Sequence, residues 1–346
     1  MNSYLEIAMH NRRIPLVDYL KGFSILVIIL VHLLEIMPKI PGIVITMSAA
    51  GGGGVHVFLL CSGFGLYFSH LHHKKGYAEF IKTRFLKIYI PYIVIVILSA
   101  LLPWMYQGNE KIAALLSHIF LYKMFIPRFN ETFGVHFWFV STLFQFYAAF
   151  IPMCRAREKL GSSQRFFWVI SGIGALWWLF TYFAGIAQIR IWGSFFLQYL
   201  WEFALGFVLA EAFYNGKSFR IKNWQLLAVA IVGIGLQAGL VLISDSLRII
   251  NDVPGLIGFG SLALFLSNIS LLRTLCIKLA AVSYELYLVH LLILRTVFHF
   301  ARPQEFLPGV FWALAATALS IAAACLYNRI IRRVSAKRVR LTGTHS

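Results

Sequence analysis

Ten apolar stretches of about membrane-crossing length recur along the chain. They lie at about 17–37, 55–71, 88–106, 136–153, 166–185, 192–213, 224–244, 254–270, 280–300 and 308–330. A helix needs roughly 20 mostly apolar residues to cross the ~30 Å hydrocarbon core. Only helices and closed barrels satisfy their own backbone there, and a barrel strand needs only about 10 residues. The pattern therefore predicts an all-α fold, a polytopic transmembrane bundle of about ten spanning helices. Composition agrees. Hydrophobic residues make up 60% of the chain and charged ones 13%, about half the charged share of a globular protein. A soluble domain of this size has no interior large enough for that apolar content. The stretch 107–135 is less regular. Its middle, Ile112 to Ile126, is apolar but holds His118 and Lys123, which predicts a re-entrant or interfacial helix at about 111–126, with a further crossing as the alternative.

Charge gives an orientation. The chain carries 31 Lys+Arg, 13 Asp+Glu and a net charge of +18. With the N-terminus in the cytoplasm, the cytoplasmic segments hold 23 of the basic residues and the outer segments 7. That asymmetry predicts both termini on the cytoplasmic side. It assigns the basic residues to anionic lipid headgroups and gives no role to nucleic acid. Residues 1–13 start charged, but the first apolar run continues to Met37 without a small-residue cleavage site, so this helix is expected to be retained. One membrane-embedded domain over 1–330 and a basic cytoplasmic tail over 331–346 follow. Cys61, Cys154, Cys276 and Cys325 lack CxxC spacing and read as reduced structural residues, without a disulfide framework or zinc site. Pro38, Pro41 and the run Gly51 to Gly54 predict an outer turn, and irregular backbone at that depth lines a cavity or packs on protein.

Ionisable groups inside helices are costly and point to function. The first helix has the densest set: Asp18, Lys21, His32 and Glu35. Lys21 and His32 share a face, roughly 16 Å apart along the axis. Glu35, at i+3 from His32, can orient the imidazole, which makes a general base with a carboxylate partner. The alternative is a histidine that only bonds a neighbouring helix. Arg84 and Lys87 face one way at the cytoplasmic start of the third helix and suit phosphate, although a simple positive-inside anchor has the same appearance. Ser283, Tyr287 and His290 form a polar stripe at i, i+4 and i+7, for chemistry or for interhelical bonds, and Glu285 lies elsewhere on the cylinder. Glu202 is a carboxylate in an apolar run, and Gly206 one turn on lets another helix approach. His70, His72 and His73 lack acidic or cysteine partners at ligand spacing and read as interfacial polar residues. Ser62-Gly63 is not part of a GxSxG elbow, and neither a Walker A motif nor a dinucleotide glycine motif occurs.

Five blocks in order resemble the acyltransferase 3 family of integral membrane acyltransferases. Lys21, ten residues and His32 resemble its R/K-x10-H motif. Gly53-Gly54-Val55-His56-Val57-Phe58 running into Ser62-Gly63-Phe64 resembles its glycine–phenylalanine block. Arg84 to Pro91 resembles its basic pair with a following proline. His136-Phe137-Trp138-Phe139 resembles its W-F segment, and Ser283-Tyr284 through Tyr287 and His290 resembles its S-Y-x-x-Y-L-x-H segment. The resemblance covers 18 to 290 and is to the stand-alone type, without an appended extracytoplasmic domain. It implies O-acyl transfer, usually of acetyl, from cytosolic acetyl-CoA or another acyl-CoA to a hydroxyl of a surface glycan or lipid-linked sugar, in a bacterial inner membrane. It implies His32 as the catalytic base, or the residue that handles the acyl group, and Lys21, Arg84 and Lys87 as the CoA-phosphate site; Glu35 joins His32 as its catalytic partner on the i+3 spacing. Asp18, Ser62, Trp138, Glu202, Ser283, Tyr287 and His290 are the supporting residues. The co-substrate is acyl-CoA, and neither a bound cofactor nor a metal is expected. Lys21 and Lys87 supply a point charge where the family often has the bidentate fork of arginine. The competing reading is a multi-helix exporter of a glycan or small solute, whose pathway would use the same polar residues without a phosphate clamp.

Overall fold

The computed structural model describes residues 14–45 and 52–342, and the side chains of 245, 246, 248 and 335–342 are outside that description. The charged start at 1–13, Gly51 of the glycine run and the last four residues of the tail also lie outside it. The described chain is helical, with no strand among the described residues. The helices are α1 (Pro15–Ile36), α2 (Gly53–His72), α3 (Tyr77–Leu101), α4 (Lys111–Ile119), α5 (Trp138–Leu160), α6 (Ser163–Phe183), α7 (Leu200–Tyr214), α8 (Asn223–Ile243), α9 (Asp252–Leu266), α10 (Ser270–Ala280), α11 (Ser283–Ala301) and α12 (Phe306–Thr342).

Local chemistry sets the ends. Pro15 starts α1, where its missing N–H costs nothing, and Asp18 sits in the first turn beside the positive end of the helix dipole. The chain leaves α5 through Gly161 at φ +68°, a left-handed residue suited to glycine. Ser162 then accepts from the backbone N–H of Arg165 to begin α6. α3 crosses with Pro91 in its interior, and Tyr327 Oη donates to the Pro91 carbonyl at 2.8 Å.

Among the described residues, nine helical segments are long and apolar enough to cross a membrane, and α9 with α10 forms a further pair bent by 118°. The expected span at 254–270 is therefore one limb of this pair. Ser267 Oγ donates to the Leu264 carbonyl and Asn268 Nδ2 to the Phe265 carbonyl, at 2.6 and 2.8 Å, so side chains take over the backbone acceptors and the helix stops. α10 is short and two-faced. Cys276 and Leu279 are buried, and Arg273 and Lys278 are exposed. The expected helix at 111–126 is shorter too. α4 ends at Ile119, because Leu121 adopts φ +61°, and short 3-10 turns carry the chain onward to Phe137.

Paired loop contacts separate the two ends of the bundle. Lys74–Glu158, Arg157–Glu211, Asn268–Asn223 and Asn328–Glu285 lie at the end that holds Pro15 and the late part of α12. Lys39–Glu305 and Trp104–Thr296 lie at the other. α2 starts deep: a Cβ on Gly54 would lie 2.7 Å from the Ser24 carbonyl oxygen in the middle of α1. Its tightest crossing is with α7, where a Cβ on Gly206 would stand 2.6 Å from the Leu60 carbonyl. Glycine brings the two backbones together there. Gly206→Leu has no flexible atom to displace. Overpacking of a close-packed interior typically costs about 1–3 kcal/mol and more against backbone, so this variant is expected to lose several degrees of thermal stability in detergent, read by fluorescence-detected unfolding.

Candidate active site

Three imidazoles from three elements meet in the bundle. α1 presents His32, α11 presents His290, and the turn leading into α5 presents His136. The ring centroids of His32 and His290 are 5.3 Å apart, those of His136 and His290 4.9 Å, and those of His32 and His136 6.2 Å. His32 Nδ1 is 2.9 Å from Glu35 Oε2, the orienting contact expected at i+3. His290 Nδ1 is 2.7 Å from the Tyr287 carbonyl, and its Nε2 is unpartnered. His136 is buried, with the Leu288 backbone beside its ring and no other close partner on either ring nitrogen. Tyr287 Oη donates to the His136 backbone carbonyl, so the α11 stripe holds the turn that carries His136. The His32 side chain is 14% exposed and that of Glu35 35%, so the cluster opens at this edge. Glu35 also feels Arg295 of α11.

A second network fixes the His136 turn. Lys123 is fully buried, and its Nζ donates to the Gly134 carbonyl at 3.0 Å and lies 5.8 Å from the Phe137 ring centroid. Burial, helped by Arg190 and Arg295, pushes this amine down to about 7. His118 Nε2 lies 2.9 Å from Thr132 Oγ1, and Tyr92 Oη lies 2.7 Å from His118 Nδ1. Burial and the neighbouring Lys123 hold the His118 imidazole well below its ordinary value, so it serves as a neutral bracket. Gly134 at φ +150° makes the corner that a side chain would strain.

The cations expected to bind phosphate meet at the opposite end of α1. Lys87 lies in the field of Arg84, Lys21 and Arg332, with Glu285 near. Arg84 stands 5.7 Å from the centre of the Phe80 ring. Lys21 passes Gly65, whose Cβ would come 3.9 Å from Nζ, and Asp18 shares the neighbourhood of Cys61 with Lys21. Ser62 Oγ donates to the Phe58 carbonyl at 2.9 Å, and Ser283 Oγ to that of Ala280 at 3.1 Å. Both hydroxyls are thus bonded within their own turns.

Glu202 and Trp138 stand apart from the three histidines. Glu202 Oε1 is 2.7 Å from His56 Nδ1. His56 Nε2 faces Asp252 Oδ1 at 3.4 Å. Trp138 stacks on Tyr199 at 6.1 Å, and Tyr199 in turn lies 5.9 Å from His56. Sequence reasoning passed over His136, Arg295, Arg332, His56 and Asp252 as site residues. His136 and His56 stood inside the quoted blocks, and the signal was there: an ionisable residue in an apolar run.

The arrangement clusters imidazoles near the Ile36 end of α1 and sets a basic mouth roughly 16 Å of helix away, which suits transfer of a group from an anionic carrier. No curated protein and no solved structure matches the chain. A family model described as an acyltransferase domain, that of the acyltransferase 3 family, matches residues 14–329. That span takes in the histidine cluster and, of the basic mouth, Lys21, Arg84 and Lys87, and the chain belongs to the acyltransferase 3 family of membrane acyltransferases.

Proposed function

We propose that this acyltransferase moves an acetyl group from cytosolic acetyl-CoA to a hydroxyl of an extracytoplasmic carbohydrate or cell-envelope glycan, in a bacterial inner membrane with both termini cytoplasmic. The observation that carries the reading is the layout of α1. Its Lys21 end gathers Arg84, Lys87 and Arg332, and His32, 11 residues on, meets two further imidazoles and a carboxylate. The basic end takes the CoA phosphates by charge. His32 takes the proton of the acceptor hydroxyl, the oxygen attacks the thioester carbonyl, the new C–O bond forms as the C–S bond breaks, and the CoA sulfur leaves as thiolate and is protonated. Glu35 holds the ring and stabilises the imidazolium formed in the step. Membership of an acyltransferase family favours this chemistry over export, which needs neither a donor site nor a base.

Mass spectrometry of the envelope glycans with and without the gene tests the reaction: an acetyl mass increment that vanishes on deletion is expected, and identical glycans overturn it. The donor site has its own test. A charged phosphate contact contributes roughly 1.5–3 kcal/mol, so Arg84→Ala is expected to weaken acetyl-CoA binding about tenfold or more. Unchanged affinity in the purified Arg84→Ala/Lys87→Ala protein would remove these residues from the donor site.

A further inference from the structure

The group formed by His56, Glu202 and Asp252 is not used in the acyl-transfer scheme. The three come from α2, α7 and α9, all are buried, and one donor atom from each lies within 4.8 Å of the others. Two carboxylates and one imidazole in an apolar interior demand a compensating charge. We propose that they form a binding site for one divalent transition-metal ion of the zinc class, ligated by His56 Nε2 and Asp252 Oδ1.

Geometry separates this reading from a plain ion triad. The 3.4 Å between His56 Nε2 and Asp252 Oδ1 is long for a charge-assisted hydrogen bond, which runs at about 2.7–2.9 Å. It is the separation of two ligands on one tetrahedral ion, about 3.4 Å for bonds of about 2.1 Å. The other ring nitrogen is committed elsewhere, with Nδ1 2.7 Å from Glu202 Oε1. A histidine that binds metal through one nitrogen and donates the other N–H to a carboxylate is a recurrent arrangement, since the carboxylate fixes the tautomer and aims the ring. Asp252 is steadied likewise: its Oδ2 accepts from Gln198 Nε2 at 2.8 Å, and Gln198 Nε2 also donates to the Ile249 carbonyl at 2.7 Å. A second observation is independent of these contacts. Glu202 Oε2, Gln198 Oε1 and Asn251 Oδ1 are buried acceptors without a partner. Glu202 belongs to the group and Gln198 bonds Asp252, so orphan oxygens at the group itself call for a cation. A divalent ion with a neutral imidazole and two carboxylates makes the group electrically neutral, and the nitrogen–oxygen donor set suits zinc or its neighbours.

The test uses tag-free full-length protein in detergent, stripped with EDTA and then titrated with zinc chloride. One zinc per chain by elemental analysis is expected, with a zinc-dependent rise in melting temperature of several degrees. Asp252→Asn should lose the bound zinc and at least tenfold in affinity. Glu202→Gln keeps both ligands and is expected to weaken zinc about tenfold, in the range found for orienting partners of metal ligands. A His70→Ala/His72→Ala/His73→Ala protein separates this site from the histidines at the end of α2, and it should bind zinc as wild type does. Zinc that follows the α2-end histidines, or a melting temperature indifferent to zinc in wild-type protein, would overturn the proposal and leave the group as a buried ion triad. A wild-type melting temperature indifferent to zinc overturns the proposal whether or not the variants fold, and the α2-end variant, changed only at residues outside the core, locates any zinc that binds.

Discussion

His32→Ala is expected to abolish acylation in cells while the protein still inserts and binds acetyl-CoA. Loss of a positioned general base costs about 10² to 10⁴ in rate, enough to drop glycan acetylation below detection. The imidazole sits where such a base is useful: oriented by Glu35 at 2.9 Å, still 14% exposed, and against two other imidazoles. Glu35→Gln keeps a side chain of the same shape and removes the charge that stabilises the imidazolium, so a smaller loss is expected. Acetyl incorporation into the surface glycan, with membrane abundance and CoA affinity measured alongside, checks both. Near-normal acylation by His32→Ala would return His32 to a packed interhelical residue.

The second large effect is expected at His136. Apart from the Leu288 backbone neither ring nitrogen has a close partner, and its ring is 4.9 Å from that of His290. If the imidazoles pass one proton among them, His136→Phe should cost about 10² or more in rate, at the lower end for lost acid–base catalysis. The fold should survive, because Tyr287 bonds the His136 backbone carbonyl rather than its ring. Groups that act as a unit are strongly non-additive. The His32→Ala/His136→Phe protein should therefore be no worse than His32→Ala alone. Full rate in His136→Phe, or a double variant that multiplies the two losses, would show that His136 does not work with His32.

The bundle was legible because the bilayer imposes its own length scale: apolar runs near 20 residues survive any detail of packing, and the helices follow them closely. The break after α9 escaped because Ser267 and Asn268 stop that helix through hydrogen bonds to their own turn, and their types are equally at home in a loop or a helix end. In the site, the pair His32–Glu35 follows from spacing along α1, and the shared end of Lys21 with Arg84 and Lys87 follows from the alternation of spans with charge. His136 does not, since it lies on a 3-10 turn whose direction is set by Lys123, Gly134 and Tyr287. Asp252 meets His56 from 196 positions away, and no local period can announce such a contact.

The depth at which α2 begins has an electrical consequence. Gly54 lies abreast of Ser24 and Ile28, so α2 starts about 12 Å below the end of α1 at Ile36. Water that reached the level of Ile28 would leave the membrane voltage to fall over about 10 Å of helix down to Lys21, instead of the ~30 Å of hydrocarbon. A neutral acyl group crosses this partition with no electrical work. A proton carried along the same path exchanges about 2.3 kcal/mol with the field per 100 mV. Under the mechanism proposed above, the direction in which the imidazoles discharge their proton decides whether the membrane potential drives the reaction, opposes it or leaves it untouched.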